Sequence, residues 1–278
     1  LNGLRLNFVG CGRLGRVLGC LLAQQGVHIQ DVHTRSLQSA QEAVAAMGVG
    51  QPQVDLAAMR PAQLWCFAVA DGQIAPMAQA VADLHRPTSA YGTPPIALHF
   101  SGALSSQELA PLAQVGWHTT SCHPILSFAR FDVALAQFAG TACALEGDGA
   151  GKQVVGDIMR AIGAECFPIE ADHKLLYHAA AVFSANFLPV LQDTAQQLWT
   201  RSGLPPDILA KVWPKMLENV TQNVLTMGPA AALTGPAARG DTTLVAQQHQ
   251  ALEGWNPDAA QAYAALSRLS MAIAAKRR

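Results

Sequence analysis

Gly10-Cys11-Gly12-Arg13-Leu14-Gly15 is the stretch that decides the fold. It follows residues 4–9 (LRLNFV), an apolar run that reads as a buried strand. It opens residues 12–25, where Leu14, Val17, Leu18, Leu21 and Leu22 recur at helical spacing. A GxGxxG string alone is weak, but between a strand and a helix it has a mechanism. The first glycine makes the tight turn, the second lets backbone approach a pyrophosphate, and the third lets helix and strand pack closely. The helix N-terminus offers that anion free N–H groups and a positive dipole end. All six residues are read as cofactor-binding, against the blander reading of a structural turn. Cys11 is expected to be a packed thiol rather than a reactive one.

Working outward, residues 27–33 read as a second strand, and Ser36 can cap a helix over 37–47. NAD-binding sheets place Asp or Glu about 20 residues beyond the glycines to hold the ribose hydroxyl. This strand exits instead through Val32-His33-Thr34-Arg35-Ser36, and Asp31 lies earlier, inside it. Thr34, Arg35 and Ser36 suit a 2′-phosphate, since Arg binds phosphate through two parallel hydrogen bonds. NADP(H) is therefore expected over NAD, with Arg35 as a plain surface charge the alternative. Strands over 64–69 and 95–100, a helix over 74–84 between them, and strand-like segments at 115–122 and 141–145 complete the pattern. Val69 and Ala70, at the end of the third strand, join the cofactor set. Alternating strands and helices imply βαβ units and a mostly parallel sheet.

The pattern changes near Pro168. Helical periodicity runs over 171–202, with Pro189 as a kink or break, then over 206–227, 241–253 and 257–276. The domains expected are 1–168, Rossmann-like, and 169–278, all-α, with the cleft between them as the default site.

Composition narrows the class. Half of the 278 residues are hydrophobic and only 13% are charged, against about 25% in an ordinary domain. Disorder is excluded. With 18 Lys+Arg against 19 Asp+Glu there is no basic footprint for nucleic acid. No run of 18 or more apolar residues occurs, so no spanning helix is expected. The first residues do not read as a signal peptide. Six cysteines without a CxxC pair point to reduced thiols, a cytoplasmic location and no metal.

GCGRLG (10–15), HTRS (33–36), HFSGALSS (99–106), SCHPILSF (121–128), LEGD (145–148), KLLYHAAAVFSAN (174–186) and ALTGPAARGD (232–241) together carry a resemblance. The chain resembles a group of NADP-dependent oxidoreductase-like proteins that join a Rossmann-like domain to a helical C-terminal domain of unknown function. Wider relatives are 6-phosphogluconate dehydrogenase, whose C-terminal domain the helical half is expected to resemble, pyrroline-5-carboxylate reductase and prephenate dehydrogenase. The resemblance implies hydride transfer between NADP(H) and a small carbonyl, imine or hydroxy acid, and a homodimer through the helical domain. It implies an acid/base Lys on the first long C-terminal helix, followed four residues on by Asn. Lys174 and His178 stand at that spacing, with His in place of Asn. His123-Pro124 resembles the His-Pro of prephenate dehydrogenases, which makes His123 the rival acid/base. Thr234 and Arg239 occupy the loop that in pyrroline-5-carboxylate reductases binds the substrate carboxylate.

The residues support parts of this directly. Lys174 and His178, four apart, share one helix face. A Lys whose pKa is lowered by an apolar cleft can donate a proton; the bland alternative is a Lys at a helix start and a core His. Ser101 and Gly102 follow a strand at its carboxyl end, where parallel sheets place ligands, so both are read as substrate-binding, against a turn. Asp241 fits an N-cap. The reading is an enzyme; the alternative is a non-catalytic NADP-binding sensor or partner protein, and a third has a deazaflavin as hydride partner.

Overall fold

The structure is a computed structural model and describes residues 1–87 and 92–276. Among these residues eight strands form one sheet: β1 (Arg5–Val9), β2 (His28–His33), β3 (Gln51–Gln53), β4 (Leu64–Phe67), β5 (Ile96–His99), β6 (His118–Pro124), β7 (Ala142–Gly147) and β8 (Glu165–Pro168). Their order is β3-β2-β1-β4-β5-β6-β7-β8. Every pairing is parallel except β6 with β7. The order reverses direction beside β1, the switch point at which open α/β sheets take their ligands.

Helices cover both faces, which is why the strands read as nearly continuous apolar runs. Residues alternate between two cores. Cys66 and Leu98 join Leu18 and Leu22 of α1 (Arg13–Gln24). Trp65, Phe67 and Ala97 join Ile74, Ala78 and Val81 of the helix that follows β4. The expected cap at Ser36 is present: its hydroxyl accepts from Ser39 N–H and starts α2 (Leu37–Met47), which ends on a left-handed Gly48. The helix after β4 is α3 (Ile74–Leu84). Short α4 (Ala110–Gln114) and α5 (Phe131–Gln137) follow, then α6 (Gly149–Ala161) between β7 and β8. Sequence periodicity does not register β3, β8, α4, α5 or α6. The two strands are short and half-exposed, and the helices are glycine-rich or only five to seven residues long.

Beyond Pro168 the described chain is helical. The long helical pattern contains α7 (Lys174–Ala181), a π-helical turn over Val182–Asn186, and α8 (Phe187–Arg201). The irregularity falls just before Pro189, the expected break. The proline ring would meet the carbonyl of residue 185, and widening the preceding turn relieves that clash. By length and composition alone, the run Ala171–Arg201 is apolar enough to cross a membrane, with a window of mean hydropathy 1.2. Counting consecutive apolar residues missed this because Ser184, Asn186 and Pro189 interrupt the run without lowering its mean much. The remaining helices are α9 (Pro206–Met227), α10 (Pro229–Ala232), α11 (Pro236–Arg239), α12 (Thr242–Glu253) and α13 (Pro257–Ala275). Asp241 caps α12 by accepting from Leu244 N–H.

The chain forms two compact units, Leu1–Asn186 and Phe187–Arg278. The first therefore extends past the sheet to include α7, whose Lys174 and Tyr177 bond to residues at strand ends.

Candidate active site

The glycine loop has the form a pyrophosphate requires. Gly10 sits at φ +77°, and a Cβ there would run into Val69 Cγ1 and lie 2.8 Å from the Ala68 carbonyl oxygen. A Cβ on Gly15 would lie 3.2 Å from Cys11 Sγ and 3.3 Å from Ala68 Cβ, so α1 seats closely on the strand ends. Above Gly12 there is open space, with nothing within 4 Å. Gly12 starts α1 without a side-chain cap, which leaves the first N–H groups free for an anion. These residues fit a dinucleotide.

A cleft of about 370 Å³ opens from this loop. Of the sequence candidates, Gly10, Cys11, Gly12, Thr34, Arg35, Val69 and Ala70 line it. Gly15 lies behind it in packing, and Arg13 and Leu14 do not line it. Ser36 does not reach it either, because its hydroxyl is the helix cap. Ser39, one turn on, takes its place, together with Arg16 and His33. Two arginines and no carboxylate thus appear among the lining residues. Asp31 is fully buried and paired to Arg60 at 2.6 Å. Burial pushes the Cys11 thiol up to about 12, so it is a packed thiol as expected.

A second group of side chains lies at the carboxyl ends of β4, β5 and β6. Lys174 begins α7, a position where the helix dipole disfavours a cation. Its Nζ donates instead to the Ser101 carbonyl at 3.0 Å and to Ser121 Oγ at 2.6 Å. Ser121 Oγ donates to Glu146 at 3.0 Å, and Glu146 also accepts from the Ser106 amide and hydroxyl. Ser121 and Glu146 are direct cross-strand partners in the β6–β7 pair, which puts their side chains on one face. Lys174 is only 1% exposed, and its pKa is lowered, first by burial, against the raising effect of Glu146. It is enclosed rather than open to a ligand.

His123 is half-buried. Its Nδ1 lies 2.9 Å from the Tyr177 hydroxyl, and its ring meets Tyr177 and His178 edge-on. Burial, then the neighbouring His178 and Lys174, bring its pKa down to about 4, so it is neutral at pH 7. Gly102 separates the two histidines: a Cβ there would lie 2.5 Å from His178 Nδ1 and 2.9 Å from His123 Nε2. His178 Nδ1 is buried without a partner. Lys174, Tyr177 and His178 thus face one set of strand-end loops.

Ser101 is close by, but its hydroxyl is saturated. It accepts from the Ala103 and Leu104 amides and donates to Asp71 Oδ2 at 2.9 Å. Its reading as a substrate donor gives way to one in which it holds Asp71. Thr234 and Arg239 are exposed in the second unit, Thr234 just before α11 and Arg239 at its last position. Tyr177, Ser121, Glu146 and Asp71 were not identified from sequence. Tyr177 had a signal, three residues after Lys174 on the same face. Ser121 and Glu146 lay inside the blocks SCHP and LEGD, and only strand pairing distinguishes them.

Residues 2–124 match the Rossmann-like domain family, and residues 141–270 match a domain of unknown function, DUF2520. The chain joins these two domains. Among solved structures it is similar to a candidate NADP oxidoreductase from Bacteroides fragilis, with 20% identity, 96% of this chain and 98% of that one covered, and a TM-score of 0.76. A protein from Thermotoga maritima is 27% identical over 98% of this chain and all of its own, with a TM-score of 0.70. Plasmodium falciparum pyrroline carboxylate reductase, solved with NADP bound, is 11% identical, with 99% of each chain covered and a TM-score of 0.59. No curated protein matches the chain.

Proposed function

We propose that the chain is an NADP(H)-dependent oxidoreductase acting on a small carbonyl, imine or hydroxy-acid substrate. One observation carries this reading. The strands whose carboxyl ends hold the dinucleotide cradle belong to the same sheet that brings His123, Lys174 and Asp71 together. A sensor would need the cradle and Arg35, but not a buried Lys–Ser–Glu network at the neighbouring strand ends.

The bound nicotinamide would supply or accept hydride. The chain's own residues hold and orient. Gly12 and the start of α1 take the pyrophosphate, and Arg16, Arg35 and Ser39 take the 2′-phosphate. His123, neutral and partly open, hydrogen-bonds the reacting group, with Tyr177 fixing its ring. His178 lines the same space across Gly102. Lys174, enclosed, acts as a positioning residue through Ser101 and Ser121. Thr234 and Arg239 remain proposed substrate contacts by resemblance. The helical region pairs two copies of the chain, in keeping with exposed Val190, Leu191, Met216 and Leu225 in the second unit. The chain works in the cytoplasm, in keeping with six cysteines that all stand free.

Fluorescence titration tests the cofactor: NADPH should bind, and Arg35→Ala should weaken NADPH by about tenfold with little change for NADH. A panel of keto acids, cyclic imines and hydroxy acids then tests turnover. NADPH binding without turnover of any compound would favour the sensor. Light scattering should give about twice 29.3 kDa for the homodimer.

A further inference from the structure

We infer that Asp71 selects for positive charge at the reacting nitrogen, so that the substrate is a protonated imine and the product an amine. This rests on the reading of NADPH as hydride source.

Asp71 opens the turn Asp71–Gln73, which follows β4 after residues 68–70. Its neighbours Ala70 and Gln73 line the cofactor cleft. The carboxylate is exposed, yet it is held from behind. The Ser101 hydroxyl accepts two loop amides, so its one proton is aimed at Asp71 Oδ2. Among the described residues Asp71 makes no ion pair, and its other oxygen has no partner. A carboxylate that is oriented by a buried hydroxyl and left half-paired is a receptor for a cation.

The surrounding charges leave a net negative site. Lys174 interacts with Asp71 as well as with Glu146, to which it is linked through Ser121, so one cation is shared between two carboxylates. Were Lys174 to lose its proton in response to burial, Glu146 would add to the negative charge. His123 and His99, both within electrostatic reach of Asp71, have pKa values brought down to about 4, chiefly by burial, and are neutral at pH 7. An anionic substrate at this position would meet net repulsion. A cationic one would meet a ready counter-ion.

The chemistry balances without a proton donor at the hydride step. The C–H bond at the dihydronicotinamide carbon breaks, and its electron pair forms a new C–H bond at the iminium carbon. The C=N π pair becomes the nitrogen lone pair. One positive charge passes from substrate to nicotinamide, and Asp71 faces a cationic nitrogen before the step and again once the product amine is protonated. The amine then takes a proton from water. A ketone would also need a proton delivered to its oxygen, which the iminium does not.

The test uses the full chain as wild type, Asp71→Asn and Asp71→Glu. NADPH binding to the wild type is measured first, and its absence would sink the oxidoreductase reading itself. With NADP⁺ bound, calorimetry then compares pyrrolidine, a cation at neutral pH, with cyclopentanecarboxylate, an anion of similar size. The wild type should prefer pyrrolidine. Asp71→Asn should weaken pyrrolidine by about tenfold or more, and Asp71→Glu should retain most of the affinity. Equal pyrrolidine binding in Asp71→Asn, no pyrrolidine binding to the wild type, or preference for the anion overturns the inference while NADPH binding stands. A matching loss of NADP⁺ affinity relative to NADPH in Asp71→Asn overturns it too, since Asp71 would then act on the nicotinamide charge.

Discussion

Lys174 Nζ lies 2.6 Å from Ser121 Oγ, and Ser121 hands its own proton to Glu146. A serine thus bridges a buried cation and a buried anion on different elements, the start of α7 and strand β7. Removing either charge strands the other, which costs about 3–5 kcal/mol where both are buried. Lys174→Met and Glu146→Gln should each lower stability by that order. The double variant should recover a large part of it, as read by urea unfolding. Additive losses would show that the two charges do not interact.

The glycines separate folding from binding. Gly10→Ala places a Cβ against Val69 and the Ala68 carbonyl at positive φ, so it should lower the melting temperature markedly. Gly12→Ala meets nothing within 4 Å, so it should melt like the wild type. It should nevertheless weaken NADPH by at least about tenfold, because the added methyl occupies the space over the helix N-terminus. An unchanged NADPH affinity in Gly12→Ala would place the pyrophosphate elsewhere.

Gly102→Ala tests the histidine pair. Its methyl would displace His178 or His123, and a shift of about 1 Å at a reacting group can cost roughly a hundredfold in rate. Turnover of the panel compound that proves active should fall by that order, while NADPH binding holds. A fully active variant would remove both rings from the site.

Histidine burial makes the fold acid-sensitive. His99 is fully buried, and the Ser101 amide donates to its Nδ1, so the neutral ring carries its proton on Nε2 toward the Ser105 carbonyl. Its pKa is about 4 in the fold, chiefly because of burial, against an ordinary 6.5. Between those values the unfolded chain binds more protons than the folded one, so stability falls as pH drops through that window. The loss should reach about 3 kcal/mol for His99 alone, with His123 adding to it. Unfolding midpoints measured from neutral pH down to about 4 should fall, and His99→Gln should flatten the slope. A wild-type stability that rises toward acid would refute the neutral assignment.

Much of the first unit is legible in the amino-acid sequence alone. GCGRLG after an apolar run named the turn, the helix and the anion, and the Ser36 cap fell where α2 starts. Apolar periodicity found the strands buried on both faces because their neighbours sit above and below. It passed over β3 and β8, which are short and half-exposed and leave no such run. In sequence Ser36 reads as both a helix cap and a cofactor contact, and Ser101 as a substrate contact, because a hydroxyl there does not reveal whether a nearby amide has already claimed it.

The sequence by itself therefore determined a dinucleotide cradle, a doubly wound sheet and a helical second half, because each is written in local spacing: three glycines, apolar runs, a period near four. The tertiary structure alone decided the charge arrangement of the site. Glu146 meets Ser121 only because β7 runs antiparallel to β6 in one register. Lys174 meets them only because α7 packs onto those strand ends, and Asp71 meets Ser101 only because β4 and β5 lie side by side. Contacts between residues tens of positions apart depend on pairing and register, and local spacing carries no record of either.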